Sequence, residues 1–265
     1  RSITLDKIVN TFTGRDTDLG AGSGNLHHLT FSETNSVTGV FNLYSNTTIG
    51  GNLTIGSGTT LNTSGGSAGD NKSLTVTGDA SVTGTLTGNA SAISTASLTI
   101  ESGGTYSATS GTTTFATADT HRAGYGGQPS ALEVKSGGTF THNKGTVKLT
   151  STYDQDIEID GTGTLYNLTF NKSDNDVIHS SSLVIENNLD VTLAAGHSLR
   201  PSSGSNTVTV YGNTYLTTGK IGETTQYTGT NNWGLVTINS GEFILSTGTN
   251  NVSGIRNVGG TVSQS

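Results

Sequence analysis

Cysteine and methionine are both absent from this chain, proline occurs twice and tryptophan once. Without cysteine there is no disulfide framework and no thiolate metal site. That absence suits exterior proteins of bacteria, archaea or viruses better than small secreted animal domains. Charge is scarce too: 12% of residues are Asp, Glu, Lys or Arg, about half the usual share. The few charges lean one way, with 12 basic against 19 acidic residues and a net charge of −7. No run of Lys and Arg is available to neutralise phosphates, so neither nucleic acid nor an anionic membrane is expected as a partner. No apolar stretch approaches the ~18 residues of a membrane helix, and no signal-peptide pattern opens the chain. A start at Arg1 with no Met leads us to expect a processed mature chain or a piece of something longer.

Glycine fills the gap, with 38 of 265 residues. Glycine with Ser, Thr and Asn in such numbers is also the composition of a disordered linker. Leu, Val, Ile, Tyr and Phe recur at alternating spacing throughout, however, and a disordered chain has no reason to place them so. The chain folds.

The recurring unit is an apolar–polar–apolar strand followed by a Gly or Asn turn. Asn52-Leu53-Thr54-Ile55-Gly56-Ser57-Gly58 is a clear case. Ser97-Leu98-Thr99-Ile100-Glu101-Ser102-Gly103-Gly104-Thr105-Tyr106 is matched almost position for position by Ala131-Leu132-Glu133-Val134-Lys135-Ser136-Gly137-Gly138-Thr139-Phe140, and Leu235-Val236-Thr237-Ile238-Asn239-Ser240-Gly241-Glu242-Phe243 follows the same plan. Side chains two apart share a strand face, so Leu98 with Ile100, and Leu132 with Val134, are expected to point inward. The Ser-Gly-Gly segments supply the positive φ of a sharp corner.

Repetition of this kind points to an all-β fold, a right-handed parallel β-helix (β-solenoid) forming a single elongated domain with terminal caps. Coils of about 20 to 27 residues are expected, and Leu53, Leu74, Leu98 and Leu132 read as successive coil markers. About eleven coils at the ~4.8 Å strand spacing would make a body on the order of 50 Å long. Residues 1–25 are expected to form an N-terminal cap or assembly segment, with Ile3, Ile8, Val9 and Phe12 as one helical turn over the first coil, because an uncovered end leaves strand edges unpaired. Residues 26–265 form the solenoid body, with a loop insertion at 116–130 that holds Arg122 to Pro129. An internal duplication makes 26–61 resemble 165–199: Leu26-His27-His28-Leu29-Thr30-Phe31 matches Leu165-Tyr166-Asn167-Leu168-Thr169-Phe170. The rival architecture is a pair of immunoglobulin-like sandwiches. Short Leu-Thr-Ile triplets and nearly proline-free turns favour the solenoid.

The phrase Gly161-Thr162-Gly163-Thr164-Leu165-Tyr166-Asn167-Leu168-Thr169-Phe170-Asn171-Lys172-Ser173, with Asn52-Leu53-Thr54-Ile55-Gly56-Ser57-Gly58-Thr59-Thr60-Leu61, resembles a unit of large repetitive bacterial surface proteins and viral fibre or appendage proteins. The resemblance covers about two thirds of the chain and departs from the unit near Arg122 and after Tyr211. It implies a right-handed β-helix serving as adhesin, stalk or fibre. It says much about fold and little about function.

Several groups of residues are candidates for chemistry. In Asp154-Gln155-Asp156-Ile157-Glu158-Ile159-Asp160, alternation puts the four acids on one face and Ile157 and Ile159 on the other. Such a face would offer oxygens to Ca²⁺, but Asn167 stands where a twelve-residue calcium loop begun at Asp156 needs its Glu. A solvated outer face is the simpler account. Asp174-Asn175-Asp176 reads as a polar turn. Paired carboxylates on adjacent coils would also suit a glycosidase, but acids are few and no aromatic segment surrounds them. His27 and His28, as strand neighbours, are expected on opposite faces and unable to chelate together. His121-Arg122 with Tyr125 is a candidate ligand contact or a plain surface loop. Tyr211, Tyr215, Tyr227 and Trp233 would stack on sugars, pack on a neighbouring subunit, or fill the core. Sequons such as Asn46-Thr47-Thr48, Asn89-Ala90-Ser91 and Asn167-Leu168-Thr169 are what chance gives in such a composition, with the Asn residues expected in turns.

No catalytic, cofactor or metal residues are therefore assigned. The expectation is a non-catalytic structural surface or fibre protein, extracellular or on a cell or virion surface. It would self-associate, into filaments or a smaller homo-oligomer, and would bind no cofactor. The alternative is a viral-spike-like protein that binds or cleaves glycans.

Overall fold

The computed structural model describes residues 2–6, 27–32, 39–64, 70–116, 130–174, 176–222 and 228–264. The chain is a β-solenoid of about 9 turns in which 56% of residues are strand, fewer turns than the eleven that the repeats suggest. Among the described residues there is no helix, and every strand pairs in parallel with the next coil. A lone antiparallel bridge joins Ser64 and Asn71. Two compact units are distinguished: residues 1–119, 133–145 and 161–163 form one, and residues 120–132, 146–160 and 164–265 the other.

In the first unit three sheets take successive sides of each coil. One runs Ser2–Asp6, His28–Ser32, Leu53–Ile55, Asp79–Val82, Ser97–Ile100. The next runs Thr47–Ile49, Leu74–Val76, Ile93–Thr95, Thr112–Phe115. The third runs Gly39–Asn42, Thr59–Asn62, Thr85–Thr87, Thr105–Ser107, Thr139–Thr141. Strands of three to five residues suffice because each needs only one or two inward side chains. Leu29, Leu53, Ala80 and Leu98 stack as one buried column, and Phe31, Ile55, Val82 and Ile100 as the next. Leu74 does not belong to that column: it lies on a different side of the coil, paired with Thr47 and Ile93. Two sides of the coil share the Leu-Thr-aliphatic spelling, Leu53-Thr54-Ile55 on one and Leu74-Thr75-Val76 on the other, so that spelling marks a strand without saying which of the two sides it occupies.

The Ser-Gly-Gly corners behave as their sequence implies, with a division of labour between the glycines. Gly103 and Gly137 have φ of 82° and 84°, where a side chain is strained. Gly104 is needed for proximity instead, since a Cβ there would lie 2.0 Å from the Val82 carbonyl oxygen. The Gly103 amide donates to the Gly137 carbonyl at 3.0 Å, and Lys135 and Glu101 pair at 2.9 Å outside the corner. Inside, Tyr106 and Phe140 meet edge-on with centroids 5.6 Å apart.

In the second unit one sheet runs Gln155–Ile159, Val177–His179, Ser198–Pro201, Lys220–Ile221, Glu242–Leu245, Thr261–Gln264. Another runs Thr146–Leu149, Asn167–Asn171, Leu189–Thr192, Thr214–Thr218, and then the long strand Asn231–Ile238. That strand also receives Leu183–Ile185 through Val208–Val210 along its first half, so two sides of the coil merge into one and Asn250–Asn257 covers both. The inward alternation slips by one residue at the merger: Asn231 and Trp233 are buried along the first half, Val236 and Ile238 along the second as Leu98 and Ile100 are in the matching repeat, and Leu235 faces out. The Leu168–Phe170 block stacks on Leu189 and Val191, as Leu29–Phe31 stacks on Leu53 and Ile55 in the first unit.

Ser2–Asp6 is a strand in register with His28–Ser32, so the chain opens with a pairing strand where a helical turn containing Ile3 was expected. Ile8, Val9, Phe12 and Leu26 lie outside the described residues, as does the insertion between 117 and 129.

Each inward aliphatic or aromatic side chain contributes about 1.5–3 kcal/mol by leaving water. Phe170, fully buried, should lose about 3–5 kcal/mol on replacement by Ala, read as a lower denaturant midpoint. Gly145→Ala should also destabilise markedly, because its Cβ would sit 1.9 Å from the Thr109 carbonyl oxygen.

Candidate functional site

The acidic strand does not gather its carboxylates around a cation. Ile157 points inward and Asp156 and Glu158 outward, as alternation requires, but Ile159 is half-exposed rather than buried. Its amide donates to the Ser181 hydroxyl at 2.6 Å instead of continuing the ladder. Three of the four acids are tied to neighbouring coils. The Asp154 carboxylate accepts from the Asp176 amide at 2.9 Å, Asp156 accepts from the Ser180 hydroxyl, and Glu158 accepts from the Ser130 hydroxyl at 3.5 Å. Among the described residues no three of His, Cys, Asp and Glu come together as a metal site would require.

Asp174 and Asp176, read from sequence as a polar turn, anchor the densest charged cluster of the second unit. Asp176 accepts from the Ser198 amide at 2.8 Å and from Arg200 Nε at 2.9 Å. His197 lies between the two acids, with Nε2 3.2 Å from Asp174 and Nδ1 3.5 Å from Asp176. Burial pushes the Asp176 carboxyl up, but the Ser198 amide, Arg200 and His197 outweigh it and hold the group below the usual carboxylate range. Asn175 lies outside the described residues.

Lys172 is the group that sequence reasoning missed. It follows the strand Asn167–Asn171, turns inward and is only 3% exposed. Its ammonium donates to the Tyr153 carbonyl and, at 3.2 Å, to the Gln155 side-chain oxygen. Burial lowers its pKa to about 8, against the upward pull of Asp154, Asp174 and Asp176. Lys172 stands two residues after Phe170 and four after Leu168, so the strand's own alternation turns it inward; a lysine's usual preference for solvent hides this in the sequence. His179 is fully buried as well; desolvation takes it down to about 4, although its Nδ1 lies 2.9 Å from the Ser181 carbonyl.

His27 and His28 are closer than expected. His27 precedes the strand His28–Ser32 and so escapes its alternation, and the two rings lie 4.4 Å apart between centroids. His28 Nδ1 accepts from the Asn52 amide at 3.0 Å.

The aromatic candidates separate. Trp233 is a core residue, 5% exposed and edge-on to Phe243 at 5.2 Å, so it offers no platform to a sugar. Tyr215 is half-exposed, its hydroxyl accepting from Asn213 at 3.2 Å. Tyr211, 72% exposed, presents its ring to solvent. Tyr227 and the group His121, Arg122 and Tyr125 lie outside the described residues. Of the sequon asparagines, Asn89 occupies a turn with φ of 49°, whereas Asn167 opens a strand.

A groove of about 650 Å³ lies over the corners of the second unit, lined by Leu193, Ala194, Gly196, Lys220, Glu242 and Thr261 among others. Its one ion pair, Lys220 with Glu242 at 3.4 Å, is shared with the Ser263 hydroxyl, which donates to Glu242 at 2.7 Å.

These features define the class of protein, a parallel β-solenoid whose polar side chains mostly tie one coil to the next. No protein-family model, curated protein or solved structure matches the chain.

The displaced titrations of His179 and Lys172 predict a pH profile. His179 favours its neutral form when folded, so stability should fall as pH drops from 6.5 towards about 4. Lys172 likewise favours its neutral form, so stability should rise between about pH 8 and 10.5. Denaturant melts across pH should show both slopes, with His179→Leu flattening the lower one and Lys172→Met the upper.

Proposed function

We propose that this chain is a non-catalytic structural protein of a cell or particle surface, an extracellular β-solenoid that assembles with copies of itself. The observation that carries the reading is the use made of its polar groups. Glu101, Asp176 and Glu242 each pair with a cation one coil away, and Asn62, Asn187 and Asn251 bond to asparagines of adjacent coils. Chemistry spent on stacking suits a scaffold.

Self-association is supported by the strands Asn250–Asn257 and Thr261–Gln264. Among the described residues each pairs along one edge, with Asn231–Ile238 and Glu242–Leu245 respectively, and Ile255 and Val262 on them, with Val258 between them, are exposed. A parallel edge that still carries apolar residues at stacking positions accepts a further strand. Sedimentation of the purified chain should show concentration-dependent oligomers or filaments, which Ile255→Lys abolishes. A monomer at every concentration would remove this reading.

A second reading, glycan binding, is favoured by Tyr211, whose exposed ring would stack on a sugar face. A glycan array should then give signal that Tyr211→Ala removes while far-UV circular dichroism stays unchanged. Binding unaffected by that change would eliminate Tyr211 as the platform.

A further inference from the structure

The third sheet of the first unit carries an ordered array on its outer side. Its inward residues Leu86, Tyr106 and Phe140 are buried, so the residues flanking them point out: Thr85 and Thr87, Thr105 and Ser107, Thr139 and Thr141. The register runs without a shift. Thr60, Thr85, Thr105 and Thr139 form one column, and Asn62, Thr87, Ser107 and Thr141 the other. Thr162 extends the first column by a bridge to Thr139.

Three properties set this face apart. No outward position on its five strands carries a charge. By contrast, the outer side of the sheet containing Leu53–Ile55 includes the carboxylate of Asp79. None of the threonine hydroxyls in the two columns has a side-chain hydrogen-bond partner among the described residues; Ser107 is engaged, accepting from Asn143 at 2.9 Å. Finally, the columns repeat in two directions, at ~4.8 Å between coils and about 6.6 Å along each strand. Threonine is stiff at χ1, so the hydroxyls and methyls are held in place before anything binds, which lowers the ordering cost of binding.

We propose that this face adsorbs to ice. Both repeats are close to oxygen spacings that recur on the surface of hexagonal ice. A grid of uncharged hydroxyls interleaved with methyls can therefore hold a sheet of water in lattice positions, each hydroxyl bonding to a water about as well as to protein. Charged groups would keep hydration shells that no ice lattice accommodates. Aromatic rings, which a sugar surface would need for stacking, are turned into the core. The occupant is crystalline water, bound without any covalent step.

The test follows a single ice crystal in a nanolitre osmometer with the full chain present. The wild type should facet the crystal and open a gap between melting and freezing temperatures. Thr105→Tyr, in the middle of the array, should return that gap to the buffer value. Thr85→Lys gives a second reading of the same face if the tyrosine variant fails to fold. Thr54→Tyr, on the outer side of the Leu53–Ile55 strand, should keep the wild-type gap, and circular dichroism checks that all variants are folded. Crystals that grow as in buffer with the wild type would overturn the proposal. So would a full gap in folded Thr85→Lys, or binding to cellulose or chitin powder with ice growth unchanged.

Discussion

The parallel hydrogen-bond ladder between one coil and the next is the constraint from which the rest of the molecule follows. It continues past the strands and through the corners: Gly56 donates to the Phe31 carbonyl, Thr83 to Ile55 and Glu101 to Val82, each at 2.8–2.9 Å. In the second unit Glu186 donates to Leu165 and Tyr211 to Ile185. Corners that stack this closely leave no room for side chains at the points of approach. A Cβ on Gly84 would lie 2.3 Å from the Gly56 carbonyl oxygen, which is why glycine is needed there whatever its φ.

Stacking in register also accounts for the scarcity of charge. Like charges on successive coils would face one another at the strand spacing and repel, so most outward positions are Thr, Ser or Asn. Some of the charges that do occur sit against an opposite charge one coil away, as in Lys135 with Glu101 and Arg200 with Asp176, and others meet a hydroxyl there, as Asp79 meets Ser97. Asparagine tolerates repetition better still, because one amide donates while the next accepts. Asn89 donates to Asn62 at 2.6 Å and Asn62 to Asn42 at 3.0 Å. The same geometry yields the hydroxyl grid of the third sheet, whose regularity is a by-product of coil stacking before it is a binding surface.

Lys172 shows the cost of departing from this plan. Turning inward at the end of Asn167–Asn171, it gives the second unit a buried cation that needs the Tyr153 carbonyl and Gln155 as acceptors and three nearby aspartates as counter-charge. The Asp174, Asp176, His197 and Arg200 cluster lies around the same corner. Buried polar groups with several partners hold one arrangement against alternatives, and this corner is where the second unit concentrates them.

The sequence by itself determined that the chain is a stack of short strands, because two-residue alternation in Leu53-Thr54-Ile55 and the doubled glycines at Gly103-Gly104 and Gly137-Gly138 each have a local physical cause. It also made the inward columns legible, apart from Ile159, whose amide turns to the Ser181 hydroxyl. Only the tertiary structure decided which side of the coil each strand occupies, since Leu74 and Leu53 are spelled alike yet stack on different neighbours. It alone brought Asp176 to Arg200, turned Trp233 inward and lined Thr85 up with Thr105. Alternation along a strand is written in adjacent residues, whereas register between coils depends on the length of chain folded between them.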